Sequence, residues 1–192
     1  MESRPPPTAP MTRGMGIHGV RAAALEMWGE DGLRAIGERL PPATRAATLD
    51  EILLPVSWYP TQYSVDWMAA IWDGPAKRVD GTFCTFVDRS IELGFGRMRR
   101  FFLRLASAEL MIGRAPQQWR DMHTHGTLTA TLLGRDSSLV VVRNHPYTKT
   151  ALSRRVIAEA YRHLLTLSGR RDARETHGAE GPDALYVRLT WS

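Results

Sequence analysis

Apolar residues in the first two thirds of the chain recur at intervals of three and four, which is the spacing of one face of an α-helix. From Ile17, the positions Val20, Ala24 and Met27 follow this spacing until Gly29 interrupts it. Pro41 and Pro42 end the next such stretch, because proline cannot continue a helix. The pattern predicts helices over residues 17–28, 32–40, 43–53, 61–71, 78–105 and 110–122.

The pattern changes to alternation after Gly126. Leu128, Ala130 and Leu132 alternate with threonines, and the β-branched run 139–142 follows a Gly-Arg-Asp turn. This spacing is typical of a β-hairpin. A helix capped by Thr148 and ending at Leu167 comes next, and then a strand over 185–190, with 171–176 as a fourth strand. The predicted fold is therefore α+β: a helical N-terminal two thirds followed by a small antiparallel sheet (β-β-α-β-β) covered by helices on one face.

The length of 192 residues is that of one domain. Residues 1–14 contain four prolines and little periodic apolar content, so we expect a disordered leader there and a single domain over 15–192. The longest apolar runs are far shorter than the roughly 20 residues that cross a bilayer. The first residues also lack the apolar core of a signal peptide. These features predict a cytoplasmic protein without a membrane span.

The net charge of +5 is an arginine excess, since only Lys77 and Lys149 among the 25 basic residues are lysines. Arginine recognises phosphate and carboxylate groups, but GC-rich coding also enriches it. No nucleic-acid-reading motif accompanies the arginines, so we expect no nucleic-acid partner. The single cysteine, Cys84, excludes an intramolecular disulfide and a multi-cysteine metal site.

Several segments resemble an uncharacterised paralogous family of myxobacteria. They are residues 26–33, the proline pair 41–42, and residues 54–60, 102–107 and 186–191. The chain is also distantly similar to 4-vinyl reductase type (V4R) domains, which are related to haem-nitric-oxide-binding domains and to Bet3-like subunits of tethering complexes. This resemblance implies a compact small-ligand-binding or regulatory domain that pairs with itself as a homodimer.

Two departures from that resemblance bear on cofactors. The stretch 176–185 lacks the two cysteines that V4R-type domains often have near the last hairpin. The tyrosine, serine and arginine motif with which haem-nitric-oxide-binding domains hold the haem propionates is also missing. We therefore expect no cofactor and no metal, with haem kept as an alternative.

Three groups of residues are candidates for ligand contacts. His123 and His125 are expected to project to one face of an extended segment, and an imidazole can transfer a proton or donate a hydrogen bond to a ligand. Arg97, Arg100 and Arg104 follow one helix face and offer an anion-binding strip, although a solvated helix face has the same pattern. Tyr63 and Trp67 belong to an aromatic stripe, a pattern that more often marks a hydrophobic core than a ligand site.

No nucleophile elbow, phosphate loop or metal motif is present, which favours a noncatalytic function. We expect a homodimeric sensory or regulatory domain that binds a small, partly apolar molecule between the helices and the sheet. One alternative is an enzyme or accessory protein of a biosynthetic pathway, with a histidine that transfers a proton. The other is a haem-binding gas sensor.

Overall fold

The structure is a computed structural model, and it describes residues 9–192, with the exception of the side chains of residues 95–105. Its helices are α1 (Gly14–Gly37), α2 (Pro42–Arg45), α3 (Thr61–Asp73), α4 (Asp80–Leu105), α5 (Ala108–Met122) and α6 (Ala151–Leu167). Its strands are β1 (Met11–Arg13), β2 (Trp58–Pro60), β3 (Thr127–Leu132), β4 (Ser137–Arg143), β5 (Arg174–Ala179) and β6 (Ala184–Thr190). This order confirms the predicted α+β class.

The helices of the N-terminal half enclose the first hydrophobic core, where α1 packs along α4 and also contacts α3. Trp67 of α3, Phe83 of α4 and Ile17 of α1 are fully buried in it. Gly29 has a φ of 66°, which breaks α1 where the sequence pattern is interrupted. Here the three- and four-residue spacing predicted both the helices and their buried faces.

The predicted helix over 43–53 is shorter than expected. Helix α2 ends at Arg45, and a single π-helical turn (Ala46–Asp50) follows it. Thr48 explains the local structure, because its hydroxyl donates to the carbonyl of Thr44 (2.6 Å) and accepts from the Trp67 indole (2.9 Å). The hydrogen bond from Trp67 to Thr48 therefore stabilises the π-helical turn, where the apolar periodicity of the sequence predicts a regular α-helix.

The C-terminal sheet has the strand order β3-β4-β6-β5, and every neighbouring pair is antiparallel. Its register aligns buried residues across the strands, with Val140 opposite Val187 and Val142 opposite Leu185. These side chains pack with α5 and α6 in the second hydrophobic core. Alternation in each strand thus leaves one face of the sheet covered by helices, as predicted.

Helix α6 lies between the two cores. Leu152 and Val156 pack against the first core, whereas Ile157 and Leu165 belong to the second. Thr150 caps the helix by accepting a hydrogen bond from the Ser153 amide (3.0 Å). The predicted cap, Thr148, instead ends a 3-10 turn (Pro146–Thr148).

An ion-pair network also joins α6 to α4 and α4 to α1. Arg162 of α6 pairs with Asp88 of α4 (2.6 Å), and Arg89 of α4 forms two hydrogen bonds to the Glu26 carboxylate of α1 (2.7 and 2.8 Å). Bidentate arginine–carboxylate contacts fix orientation as well as distance. The network therefore sets how these three helices lie against one another.

The residues before α1 differ from the predicted leader, which extended to residue 14. Residues 11–13 form β1, paired antiparallel with β2. Thr12 also bridges to His123, and Thr124 exchanges backbone and side-chain hydrogen bonds with Met11. These long-range partners order a segment whose own composition gives no strand signal. Residues 1–8 lie outside the described part of the chain.

Candidate functional site

A cavity of about 840 Å³ opens between β1, the segment 55–56, α5 and α6. Its volume is in the range of small-molecule sites. Strands of the four-stranded sheet supply none of its described lining, so it lies among helices and not between helices and sheet. The described lining residues are Arg13, Met15, Pro55, Val56, Ala106, Leu110, Met111, Ile112, Arg114, Ala115, Gln118, Asp121, Met122, Tyr161, Leu164 and Leu165.

One long face of α5 forms much of the cavity wall. The helix starts at the N-cap Ser107, whose hydroxyl accepts a hydrogen bond from the Leu110 amide (3.2 Å). Met111, Ala115, Gln118 and Met122 follow at steps of four, three and four and therefore share this face. The two methionines are separated by about 16 Å along the helix axis, with the small Ala115 between them. The side chains of this wall are thus shortest near the middle of the helix, at Ala115, and long and apolar at both ends.

Arg13 closes the edge of the cavity next to β1. Its Nε donates to the carbonyl of Asp121 (3.4 Å), and its Nη1 donates to the carbonyl of Val56 (2.5 Å). The guanidinium also lies over the Trp58 ring, with Cζ 3.9 Å from the centroid, which is a cation–π contact. Arg13 therefore connects the end of α5 with the segment that precedes β2.

That segment is strongly apolar and exposed. Ile52 is 86% exposed, Val56 is 76% exposed and Leu54 is 51% exposed. Val56 and Pro55 belong to the cavity wall as well. Exposed apolar groups that lie together mark interaction sites more often than single exposed residues do. The apolar segment therefore adjoins the cavity at Pro55 and Val56.

An imidazole and aromatic cluster lies at the C-terminal end of α5. The rings of Trp119, His123, His145 and Tyr147 are neighbours, with centroid distances from 4.1 to 5.6 Å. His145 Nδ1 accepts from the Tyr147 amide (3.2 Å), so the proton of the neutral ring is on Nε2. That Nε2, His123 Nδ1 and Trp119 Nε1 are buried and make no hydrogen bond with the described residues.

Both histidines of the cluster are held neutral. Burial lowers the pKa of His123 to about 3. Burial also lowers the pKa of His145 to about 3, with a smaller contribution from His123 and His125. Among the described residues, no carboxylate contributes to the lowered pKa of either ring. The cluster therefore depends on neutral imidazoles, which makes it sensitive to acid.

The structure places the predicted site residues in different regions. His123 belongs to the cluster, and His125 contacts the Thr124 hydroxyl (2.9 Å). Trp67 is fully buried and Tyr63 packs beside it in the first core. None of these four residues lines the cavity among the described residues. The side chains of Arg97, Arg100 and Arg104 lie outside the described part of the chain.

Apart from His123, the residues that form the cavity and the cluster were not singled out by the sequence pattern. The spacing of Met111 and Met122 in the sequence could have indicated that they share one face of α5. Arg13, by contrast, lies in the predicted leader, and His145 precedes a proline in a loop. Arg13 is placed by contacts with Asp121 and Val56, which are 108 and 43 residues away in sequence, and His145 by the rings of Trp119 and His123 at the end of α5, so local pattern does not reveal either position.

Several solved structures share this fold. An oxygen-binding H-NOX domain related to soluble guanylate cyclases matches with a TM-score of 0.63 and 11% identity, covering 94% of this chain and 95% of that chain. The Fe(II) unliganded H-NOX protein from K. algicida matches at 0.61 and 8%, covering 94% and 96%. A structure from a study of haem distortion in the H-NOX family matches at 0.58 and 10%, covering 94% and 95%.

At these identities the likeness shows the fold alone, and that fold is the one of haem-nitric-oxide-binding domains. No protein-family model matches the sequence, and no curated protein matches it either. The expectation of no cofactor is wrong: the solved structures that share this fold are H-NOX domains, which point to a haem cofactor. The sequence-based expectation came from a missing motif, which says nothing about the cavity that the fold forms.

No helix in residues 9–192 is both long and apolar enough to cross a membrane.

Proposed function

We propose that this chain is a small-ligand-sensing domain that holds its ligand in the cavity between α5, α6, β1 and residues 55–56. The observation that supports this most directly is a cavity of about 840 Å³ with a largely apolar wall, in a fold shared with H-NOX domains. Haem is the first ligand to test, because the structures that share this fold include H-NOX domains studied for the distortion of their haem. A haem-binding gas sensor is the specific form of sensing domain that we propose.

The described lining residues fit haem in three respects. The volume is sufficient for a large flat molecule. Met111, Ile112, Leu164 and Leu165 offer apolar contacts to a macrocycle. Arginines are suited to carboxylates such as propionates, because the guanidinium donates two parallel hydrogen bonds.

The iron ligand would differ from the commonest choice. The described lining contains neither histidine nor cysteine, and the groups that could bind iron are the thioethers of Met111 and Met122 and the phenol of Tyr161. Burial raises the pKa of Tyr161, which opposes the phenolate. Methionine would therefore hold the iron, and bound haem would supply a centre for a small gas. The role of the chain's own residues is to exclude water and orient the macrocycle.

Haem titration into the purified protein tests the proposal. We expect saturable binding with one haem per chain and a shifted Soret band. The substitution Gln118→Trp is expected to weaken binding at least tenfold, because an indole at this position occupies the cavity. Replacement of Met111 or Met122 with leucine is expected to change the absorption spectrum of the bound haem, which identifies the ligand.

The substitution Gln117→Trp is a matched control. Gln117 is adjacent on α5 and exposed, but it does not line the cavity. Its variant should bind haem like the wild type. Absence of saturable binding, or equal loss in the Gln117 and Gln118 variants, would contradict the proposal.

The exposed apolar segment 52–56 supports a homodimer, which light scattering of the purified chain would measure as a doubled mass. The relation to V4R and Bet3-like domains and to the myxobacterial family rests on the quoted sequence segments. The enzymatic alternative has no support in the cavity, since neither His123 nor His125 is among its described lining.

A further inference from the structure

Arg13 is a cation without a carboxylate partner at the edge of an apolar cavity. Within the described residues it forms no ion pair, and its two hydrogen bonds go to the backbone carbonyls of Asp121 and Val56. These bonds use Nε and Nη1. A guanidinium has five N–H donors, so the two on Nη2 have no acceptor among the described residues.

Arg114 is a second cation on the same wall. It is exposed, lines the cavity from α5, and makes no hydrogen bond or ion pair with the described residues. It lies one helical step of four residues before Gln118, whose amide can also donate. Asp121 is the carboxylate of the described lining, and it already accepts from the Gln117 amide (2.7 Å). The described wall therefore has two arginines against one aspartate.

We propose that Arg13 and Arg114 form a carboxylate-recognition subsite, so that the ligand of this cavity has an apolar body and an anionic end. A guanidinium beside an apolar surface is stabilised when a carboxylate pairs with it. The inference rests on the proposed function, because it assigns a chemical class to the ligand of that same cavity. Fatty acids and tetrapyrroles both have this chemistry.

Arg13 also has a structural role that the test must separate from recognition. Its bond to the Asp121 carbonyl satisfies one of the last carbonyls of α5, where a cation is favourable. The substitution Arg13→Gln keeps an N–H donor for this carbonyl and removes the charge. Arg114→Gln removes the second charge at an exposed position without a hydrogen bond to lose.

The experiment compares two pairs of ligands by titration calorimetry on the full chain. Dodecanoate and dodecanol have the same apolar chain and differ in the carboxylate. Protoporphyrin IX and its dimethyl ester make the same comparison for a tetrapyrrole without iron. We expect the acid of at least one pair to bind at least tenfold more tightly than its neutral counterpart, and the pair that binds identifies the ligand type.

Single substitutions test whether Arg13 and Arg114 cause the preference for the acidic ligand. Arg13→Gln and Arg114→Gln should each reduce the affinity for the acid at least fivefold and leave the neutral ligand within twofold. Arg120→Gln is the control, because Arg120 is exposed on α5 outside the cavity wall and bonds only to Gln117 among the described residues. Fluorescence of Trp58, assigned with Trp58→Phe, should change when the acid engages Arg13, since the two groups are stacked.

These experiments distinguish a failure of the carboxylate subsite from a failure of the proposed sensing function. If the wild type binds none of these ligands and no haem, the sensing proposal fails, and the subsite with it. If neutral and acidic ligands bind equally, or if Arg120→Gln removes the preference as strongly as Arg13→Gln, only the carboxylate subsite is overturned. Thermal unfolding of each variant shows whether a loss of affinity is a loss of folding, and Arg114→Gln decides the question if Arg13→Gln is unstable.

Discussion

The substitution Gly19→Ala is expected to destabilise the protein by about 2 to 3 kcal/mol, the upper part of the range for overpacked cores. Gly19 lies where α1 crosses α4. A Cβ atom on Gly19 would be 2.3 Å from the Ser90 carbonyl oxygen and 2.8 Å from the Gly94 Cα. Both contacts are with backbone, so the two helices must separate. Urea unfolding followed by circular dichroism would measure the lower midpoint.

Gly16 provides a control in the same helix. It is exposed, and a Cβ atom there meets nothing within 4 Å. Gly16→Ala is therefore expected to stabilise the protein by about 0.5 to 1 kcal/mol, the ordinary gain from glycine to alanine in a helix. Equal stability of the Gly19→Ala variant and the wild type would show that α1 and α4 do not approach as closely as the structure has them.

The protein is expected to lose stability steeply in mild acid. In the unfolded chain His123 and His145 have the ordinary pKa of 6.5, whereas burial lowers the pKa of each to about 3 in the folded protein. Between these values the unfolded chain binds more protons, so stability falls as the pH falls. The two histidines together predict a loss of about 3 kcal/mol between pH 6.5 and 5.

His123→Phe tests the origin of this loss. The His123 Nδ1 makes no hydrogen bond with the described residues, so phenylalanine removes the titrating group without removing a described bond of that atom. The variant should lose about half as much stability as the wild type over the same pH interval. An unaltered slope in His123→Phe would place the acid sensitivity elsewhere.

The sequence pattern correctly predicted those helices and strands whose structure depends on residues close together in the sequence. Apolar spacing identified α3 through Trp67 and Ile71, and alternation identified β3, β4 and β6, because burial of one face imposes the period of the element. It failed for β1, for the π-helical turn at Ala46–Asp50 and for the cap of α6. In β1 and in the turn, hydrogen bonds to distant residues stabilise a conformation that the local residues do not specify.

The candidate site was less predictable than the fold. Arg13 acquires its place through the carbonyls of Val56 and Asp121, and His145 through rings from α5. The histidine pair 123 and 125 was singled out for its chemistry, but only the first belongs to the buried cluster. Chemistry read from residue type alone does not show which side chains share a cavity.

By itself the sequence determined an α+β domain with helices over one face of a small antiparallel sheet, since the free energy of burying apolar faces depends mainly on their periodicity. The tertiary structure alone decided that a cavity opens beside α5, that Arg13 lies at its edge, and that His123 and His145 are neutral. These properties depend on distances between residues far apart in sequence, and on the water that their packing excludes. They arise only after the two cores have formed.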